Sequence, residues 1–258
     1  MMNKKIKKFI KKKNKIKLVC LTAYSKNISV ILDKFCDLIL VGDSLANVVY
    51  GMKNTHNITL EIMKNHARSV KLGVKKSLTV VDMPKGSYTN NNLAIKNAKY
   101  LIKETNCDAI KIESNNKNFH IIKSLTNKKI PVMGHIGFTP QFKKKFKISG
   151  KKESDKKKLI NEAKNIEKAG AFSIVLECIS EKVAREITKT LKIPTIGIGA
   201  SKYCDGQILV TDDILGLSGF YPKFVKKYVK LDKIVSKAVN KYKNEVKRVS
   251  FPKKNNSF

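Results

Sequence analysis

Eight short apolar runs punctuate the chain: KLVCLTA at 17–23, DLILVGD at 37–43, SLTVVDM at 77–83, AIKIE at 109–113, IPVMGHIG at 130–137, FSIVLEC at 172–178, IPTIGIGA at 193–200 and GQILVTD at 206–212. They are mostly continuous rather than alternating, the pattern of strands buried on both faces. Between them, apolar positions recur at three- and four-residue steps, which predicts helices. Ile28, Ile31, Leu32 and Phe35 share a face over 25–36; Leu60, Met63, Ala67, Val70 and Leu72 do so over 59–72, and Leu93, Ala94, Ala98, Leu101 and Ile102 over 91–104. Segments 154–169 and 181–191 read the same way, the second closing where Pro194 enters the next strand. A last, lysine-studded helix is expected over 224–247, its Val225, Val229, Val235, Val239 and Tyr242 forming a core or subunit-contact stripe.

Eight strands alternating with helices over 258 residues is the arithmetic of an α/β fold of the (β/α)8 TIM-barrel type, a single domain over 1–258. Residues 1–15 read as a lysine-rich tail and 248–258 as a polar C-terminal tail. A doubly wound open sheet is the alternative. No GxGxxG follows the first strand, which removes the main support for its dinucleotide-binding form. The polar stretch 141–158, QFKKKFKISGKKESDKKK, is long for a βα connection and reads as a mobile loop or lid.

Composition changes this picture in one respect. With 54 Lys and Arg against 20 Asp and Glu, the formal charge is +34, which ordinarily points to nucleic acid. Yet only Arg68, Arg185 and Arg248 are arginine, the residue that direct guanine readout and bidentate phosphate gripping favour. The lysines are scattered among abundant Asn and Ile, a profile that A- and T-rich codon drift also gives. The five cysteines contain no CxxC pair and the four histidines no HxxxH pair, so a reduced, cytoplasmic compartment is expected. The apolar stretch LVCLTAY after the basic start is too short for a signal core, and no stretch approaches the roughly 18 apolar residues that span a membrane.

The chemistry gathers where the strands end, which in a barrel is where active sites form. Strand two ends at Asp43-Ser44, strand three at Asp82, strand four at Lys111 and Glu113, strand five at His135 and strand six at Glu177. Each has a plainer reading when taken singly. Asp43-Ser44 reads as a helix cap, Asp82 as a turn residue, Lys111 and Glu113 as an internal ion pair and His135 as a core histidine. Glu177 resists such a reading, because a carboxylate ending FSIVLE is costly to bury unless paired, metal-bound or kept protonated. Jointly, two aspartates and a glutamate form a hard-oxygen site suited to Mg²⁺. A lysine and a histidine beside it suit an anionic 2-oxo acid. Glu177 could then take a proton next to the carbonyl while the metal holds the enolate. GIGA at 197–200 reads either as a phosphate cradle or as room for a bulky cosubstrate.

At these residues the chain resembles a known family. VGDSL, VDMP, KIE, HIGFTPQ, LEC, IPTIGIGA and CDGQILVTDDILGL, in that order, are similar to the ketopantoate hydroxymethyltransferase family, with HIGFTPQ and DGQILV the most specific. The resemblance spans roughly 15–245. It implies a (β/α)8 barrel that transfers a hydroxymethyl group from 5,10-methylenetetrahydrofolate to 3-methyl-2-oxobutanoate, giving 2-dehydropantoate (ketopantoate) for pantothenate and coenzyme A. It further implies that Asp43, Asp82 and Glu113 serve Mg²⁺. Asp43, Asp82, Ser44, Lys111 and His135 would meet the oxo acid, with Glu177 the general base. The assembly it implies is a large homo-oligomer, commonly a decamer. The chain departs from the family at Lys85-Gly86, where an aromatic is usual, and after TPQ, where a glycine-rich loop shortens into FKKKFKISG; both bear on cosubstrate handling. The competing readings are a carbon–carbon lyase or mutase of the phosphoenolpyruvate mutase and isocitrate lyase type, and a basic nucleic-acid-binding protein.

Overall fold

The computed structural model describes residues 3–116, 118–143 and 146–258. Eight parallel strands close into a barrel in sequence order, β8 pairing back onto β1 through Leu18–Gly206. They are β1 (Leu18–Thr22), β2 (Leu38–Val41), β3 (Leu78–Asp82), β4 (Ala109–Glu113), β5 (Val132–Gly137), β6 (Ser173–Glu177), β7 (Thr195–Ile198) and β8 (Gly206–Leu209). The helices are α1 (Lys4–Ile10), α2 (Lys26–Leu32), α3 (Leu45–Val48), α4 (Leu60–Gly73), α5 (Asn91–Thr105), α6 (Phe119–Asn127), α7 (Glu153–Lys168), α8 (Glu181–Thr190), α9 (Thr211–Leu215) and α10 (Leu231–Lys247). By compactness the chain divides into Met1–Val210, which holds the barrel, and Thr211–Phe258.

Local chemistry sets the helix limits. Thr59 caps α4 by accepting from the Ile62 N–H, and Asn90 caps α5 by accepting from Leu93. Buried stripes follow at helical spacing: Met63, Ala67 and Val70 on α4, and Ala94, Ala98 and Leu101 on α5. The helix expected over 25–36 stops at Leu32, leaving Ile31 and Phe35 exposed. Its continuation is diverted because the Asp33 carboxylate accepts from the peptide N–H groups of Lys75, Lys76 and Ser77, tying this turn to the start of β3.

Strand residues at steps of two share a face. One face, with Ile39, Val41, Val81, Ile110, Ile112, Ile174 and Leu176, packs in the same apolar cluster as the helix stripes. The other face fills the barrel. Leu18, Cys20, Leu38, Leu40, Leu78, Val80, Ala109, Met133, Val175, Ile196 and Ile208 form a separate interior cluster. Above it the same rows turn polar. Leu78 and Val80 lead to Asp82, Ala109 to Lys111 and Glu113, Met133 to His135, and Val175 to Glu177.

The lysine-rich lead corrects the sequence reading. Far from a solvated tail, it forms α1, whose Ile6 and Phe9 are buried in the interior cluster, Phe9 packing edge-on against Phe172 at 6.1 Å. Its lysines bind aspartates flanking the strands: Lys12 pairs with Asp37, Lys5 donates to the Ser77 carbonyl near Asp108, and Lys13 pairs with Asp205 at 2.7 Å. Two apolar residues among so many lysines gave too thin a stripe to be read as helix.

The stretch 141–158 is only partly a loop, since α7 begins at Glu153; Lys144 and Lys145 of this stretch lie outside the described residues. Ser149 donates its N–H to the Cys178 carbonyl and accepts from Ser180, which fixes it to the end of β6. In the C-terminal unit, the helix expected from 224 starts at Leu231 and none of its residues is buried, so the core reading of its stripe falls. Val235, Val239 and Tyr242 are all about half exposed or more. Among the described residues no helix is long and apolar enough to cross a membrane.

Candidate active site

Strand register brings the sequence-flagged residues side by side. Asp82 is paired with Lys111 between β3 and β4, Glu113 with His135 between β4 and β5, and Gly137 with Glu177 between β5 and β6. Lys111 Nζ lies 3.2 Å from Asp82 Oδ1 and 3.2 Å from His135 Nδ1. His135 Nδ1 is 3.6 Å from Glu113 Oε1, and its Nε2 is 3.1 Å from Glu177 Oε2. Asp43 follows β2, where its peptide N–H donates to Asp82 Oδ2 at 3.0 Å. The cap reading of Asp43-Ser44 fails, because Ser44 makes no side-chain bond to α3 and its hydroxyl is 2.9 Å from that of Tyr24.

Burial dominates the electrostatics. It raises Asp82 to about 7, with Lys111 opposing and Asp43 adding to the rise. Glu177 is pushed up to about 8 by burial, and Glu113 well above the ordinary carboxylate range by burial and by Asp43. Burial works against the Lys111 ammonium, but Asp82, Glu113 and Asp43 outweigh it and hold its pKa above the usual lysine value. His135 is held well below its ordinary value by burial, then by Lys111 and Lys143. It is therefore neutral, with Nδ1 turned as acceptor to Lys111, which assigns the proton to Nε2; that nitrogen lies 3.1 Å from Glu177 Oε2 without an aligned hydrogen bond.

The three carboxylates share one arrangement. An N–H group holds one oxygen of each: Gln141 Nε2 holds Asp43 Oδ2 at 2.9 Å, the Asp43 N–H holds Asp82 Oδ2, and the Gln141 N–H holds Glu113 Oε2 at 3.0 Å. Among the described residues, Asp82 Oδ1 and Glu113 Oε1 are then buried with no aligned hydrogen-bond donor. Asp82 Oδ1 has the Lys111 ammonium 3.2 Å away, whereas Glu113 Oε1 faces only the neutral His135 and demands a cation or a proton. No three acidic, histidine or cysteine side chains among the described residues close into a ready cage. The donor set fits a cation that takes one or two carboxylates and keeps water and substrate oxygens, which is the habit of Mg²⁺.

Around this floor, Lys85 Nζ lies 3.2 Å from His56 Nδ1, and His56 Nε2 donates to the Pro140 carbonyl at 3.0 Å. Lys143 donates to the Gly137 carbonyl. In GIGA, a Cβ on Gly197 would meet the Cys204 and Gln207 side chains at 3.1 Å, so this glycine makes room for the chain's own packing. Three residues at the site escaped the sequence reading: Tyr24, Tyr88 and Gln141. Gln141 stood within HIGFTPQ, but a glutamine after Pro140 carries no periodicity, and its 1% exposure arises only on folding.

A closed (β/α)8 barrel with acids, a lysine and a histidine at the carboxyl ends of its strands is an enzyme of the barrel class. The Ketopantoate hydroxymethyltransferase family model matches residues 3–254. The chain is 53% identical over 257 residues to the 3-methyl-2-oxobutanoate hydroxymethyltransferase of Pelagibacter ubique (strain HTCC1062), covering 100% of each. It is 49% identical to the protein of that name from Thermosipho africanus (strain TCF52B), covering 98% of this chain and 97% of that one. This chain belongs to the ketopantoate hydroxymethyltransferase family. Among solved structures, 2,3-dimethylmalate lyase superposes with a TM-score of 0.63 at 14% identity, covering 96% of this chain and 88% of that one. Phosphonopyruvate hydrolase gives 0.63 at 9%, covering 98% and 93%. At those identities the likeness is of fold alone.

Proposed function

We propose that this chain transfers a hydroxymethyl group from 5,10-methylenetetrahydrofolate to 3-methyl-2-oxobutanoate, giving 2-dehydropantoate, with Mg²⁺ as cofactor. The observation that carries the reading is the register that sets Asp82 beside Lys111 and Glu113 beside His135, with Glu177 against the same imidazole. Asp43 and Asp82 would hold Mg²⁺, with Glu113 directly or through water. When bound, the ion draws electron density from the oxo group and acidifies C3. In its ionised form Glu177, which burial makes a stronger base than an exposed carboxylate, takes the C3 proton. Neutral His135 lies beside Glu177, and Lys111 and Ser44 hold the oxo-acid oxygens. Water breaks both C–N bonds of the methylene bridge, releasing tetrahydrofolate and a one-carbon unit at the formaldehyde level; the C3 carbanion adds to its carbonyl carbon, and the oxygen takes up a proton to become the hydroxyl.

The test follows loss of the C3 proton of 3-methyl-2-oxobutanoate in D2O by NMR, with and without Mg²⁺, and then ketopantoate formation on adding the folate. Metal-dependent exchange is expected without folate. Release of a fragment from another oxo acid in the absence of folate would instead favour the lyase reading. The proposal extends to a cytoplasmic location, in keeping with five free, buried cysteines, and to a homo-oligomer such as a decamer. The apolar row exposed along α10 supports the latter.

A further inference from the structure

We infer that Gln141 is the positioning residue of the carboxylate set: it fixes two of the three acids before any ligand arrives, and Tyr88 fixes Gln141. The inference rests on the metal reading just given and names a residue outside the ligand set. Gln141 is 1% exposed, and its peptide N–H and both ends of its side-chain amide are engaged. Its Nε2 donates to Asp43 Oδ2 at 2.9 Å and to the Met83 carbonyl at 3.0 Å. Its Oε1 accepts from the Tyr88 hydroxyl at 2.5 Å, and its peptide N–H donates to Glu113 Oε2 at 3.0 Å. The amide can face only one way. Reversed, its oxygen would meet a carboxylate and a carbonyl, two acceptors. Tyr88, 4% exposed, supplies the donor that selects the observed orientation.

The geometry has a chemical consequence. Asp43 follows β2 and Glu113 ends β4, so no strand pairing joins them, and Gln141 reaches both from the loop after β5. Each acid spends one oxygen on Gln141, which sets the direction of the other. Without the side-chain amide, Asp43 loses the partner that aims it, and a cation would have to supply the ordering. Partners that orient metal-binding carboxylates this way are worth about 10–100-fold in metal affinity when removed. His56 holds the Pro140 carbonyl, so the peptide that carries Gln141 is itself braced.

The experiment uses the full-length chain and Mn²⁺ as probe, with affinity read by electron paramagnetic resonance and C3 exchange of 3-methyl-2-oxobutanoate read in D2O. Gln141→Met keeps the side-chain volume and the peptide N–H but removes the amide. It is expected to bind Mn²⁺ about 10–100-fold more weakly. At saturating Mn²⁺ its exchange rate should recover most of the wild-type value, a split that general loss of structure would not give. Tyr88→Phe should weaken binding in the same direction by a smaller factor, and the double variant should bind no more weakly than Gln141→Met alone. Asp82→Asn separates the two levels of the argument. If it lowers Mn²⁺ affinity while Gln141→Met binds as wild type does, the assignment of Gln141 is overturned and the metal reading stands. If Asp82→Asn binds as tightly as wild type, both fall. Should Gln141→Met fail to fold, Tyr88→Phe decides alone, and wild-type affinity in it would overturn the assignment.

Discussion

Glu177 and its neighbours make opposing demands on proton uptake, and the signs can be worked out. Unfolded, a glutamate ionises near 4.3; folded, Glu177 does so at about 8. Between those values the folded protein holds a proton that the unfolded chain has released, so this group lowers stability as pH rises and stops doing so above about 8. His135 acts in the opposite sense, since the unfolded imidazole takes up a proton below about 6.5 that the folded one refuses. The comparison that isolates Glu177 is therefore wild type against Glu177→Gln, each without metal, by urea unfolding. The variant should gain stability relative to wild type from about pH 5 upward and level off near pH 8. A constant difference would show that Glu177 titrates normally. The same variant should lose C3 exchange by about 10²–10⁴-fold, the usual share of a general base, while still binding Mn²⁺. Gly137 gives a test by shape. It has φ +97°, and a Cβ there would lie 2.0 Å from the Glu177 carbonyl oxygen. Gly137→Ala should cost well over about 1 kcal/mol in unfolding free energy. Asp43, Asp82, Lys111, His135 and Glu177 were legible in the sequence because each interrupts or ends an apolar run. Gln141 and Tyr88 were not, because the partners that give them meaning lie 98 and 53 residues away.

At the scale of elements, the strands were the most legible feature, since being apolar on both faces leaves a mark that needs no partner. Helices read less well where tertiary bonds overrode local pattern. Asp33 ended α2 early by capturing three peptide N–H groups from the start of β3. The α1 helix was lost beneath its lysines. Its worth can be measured: Phe9→Ala should destabilise by about 3–5 kcal/mol, the cost of emptying a buried aromatic site. Lys13→Met should also be costly, because Asp205, also bonded by the Thr195 N–H at 2.8 Å, would be left with its charge buried. Both are read by denaturant midpoint, and a solvated tail would show no change in either.

For the molecule as a whole, the charge of +34 and the exposed row on α10 make separate predictions. Binding to mixed-sequence DNA duplexes should collapse between 50 and 200 mM salt, by orders of magnitude, as scattered lysines give nonspecific attraction only. Val239→Lys should shift the species seen by light scattering toward smaller assemblies; an unchanged mass would remove α10 from the contact. The plug formed by α1 also bears on the order of assembly. This segment precedes every strand in the chain, yet the surface that receives it includes Leu18, Leu38, Leu78, Ala109, Phe172 and Ile196, and its Lys13 anchor pairs with Asp205. Until the later strands are in place α1 therefore lacks its full docking surface, and its lysines keep an otherwise adhesive pair, Ile6 and Phe9, in water. A segment that comes before every strand is thus among the last to lock, so its docking requires the strands it packs against to be in place.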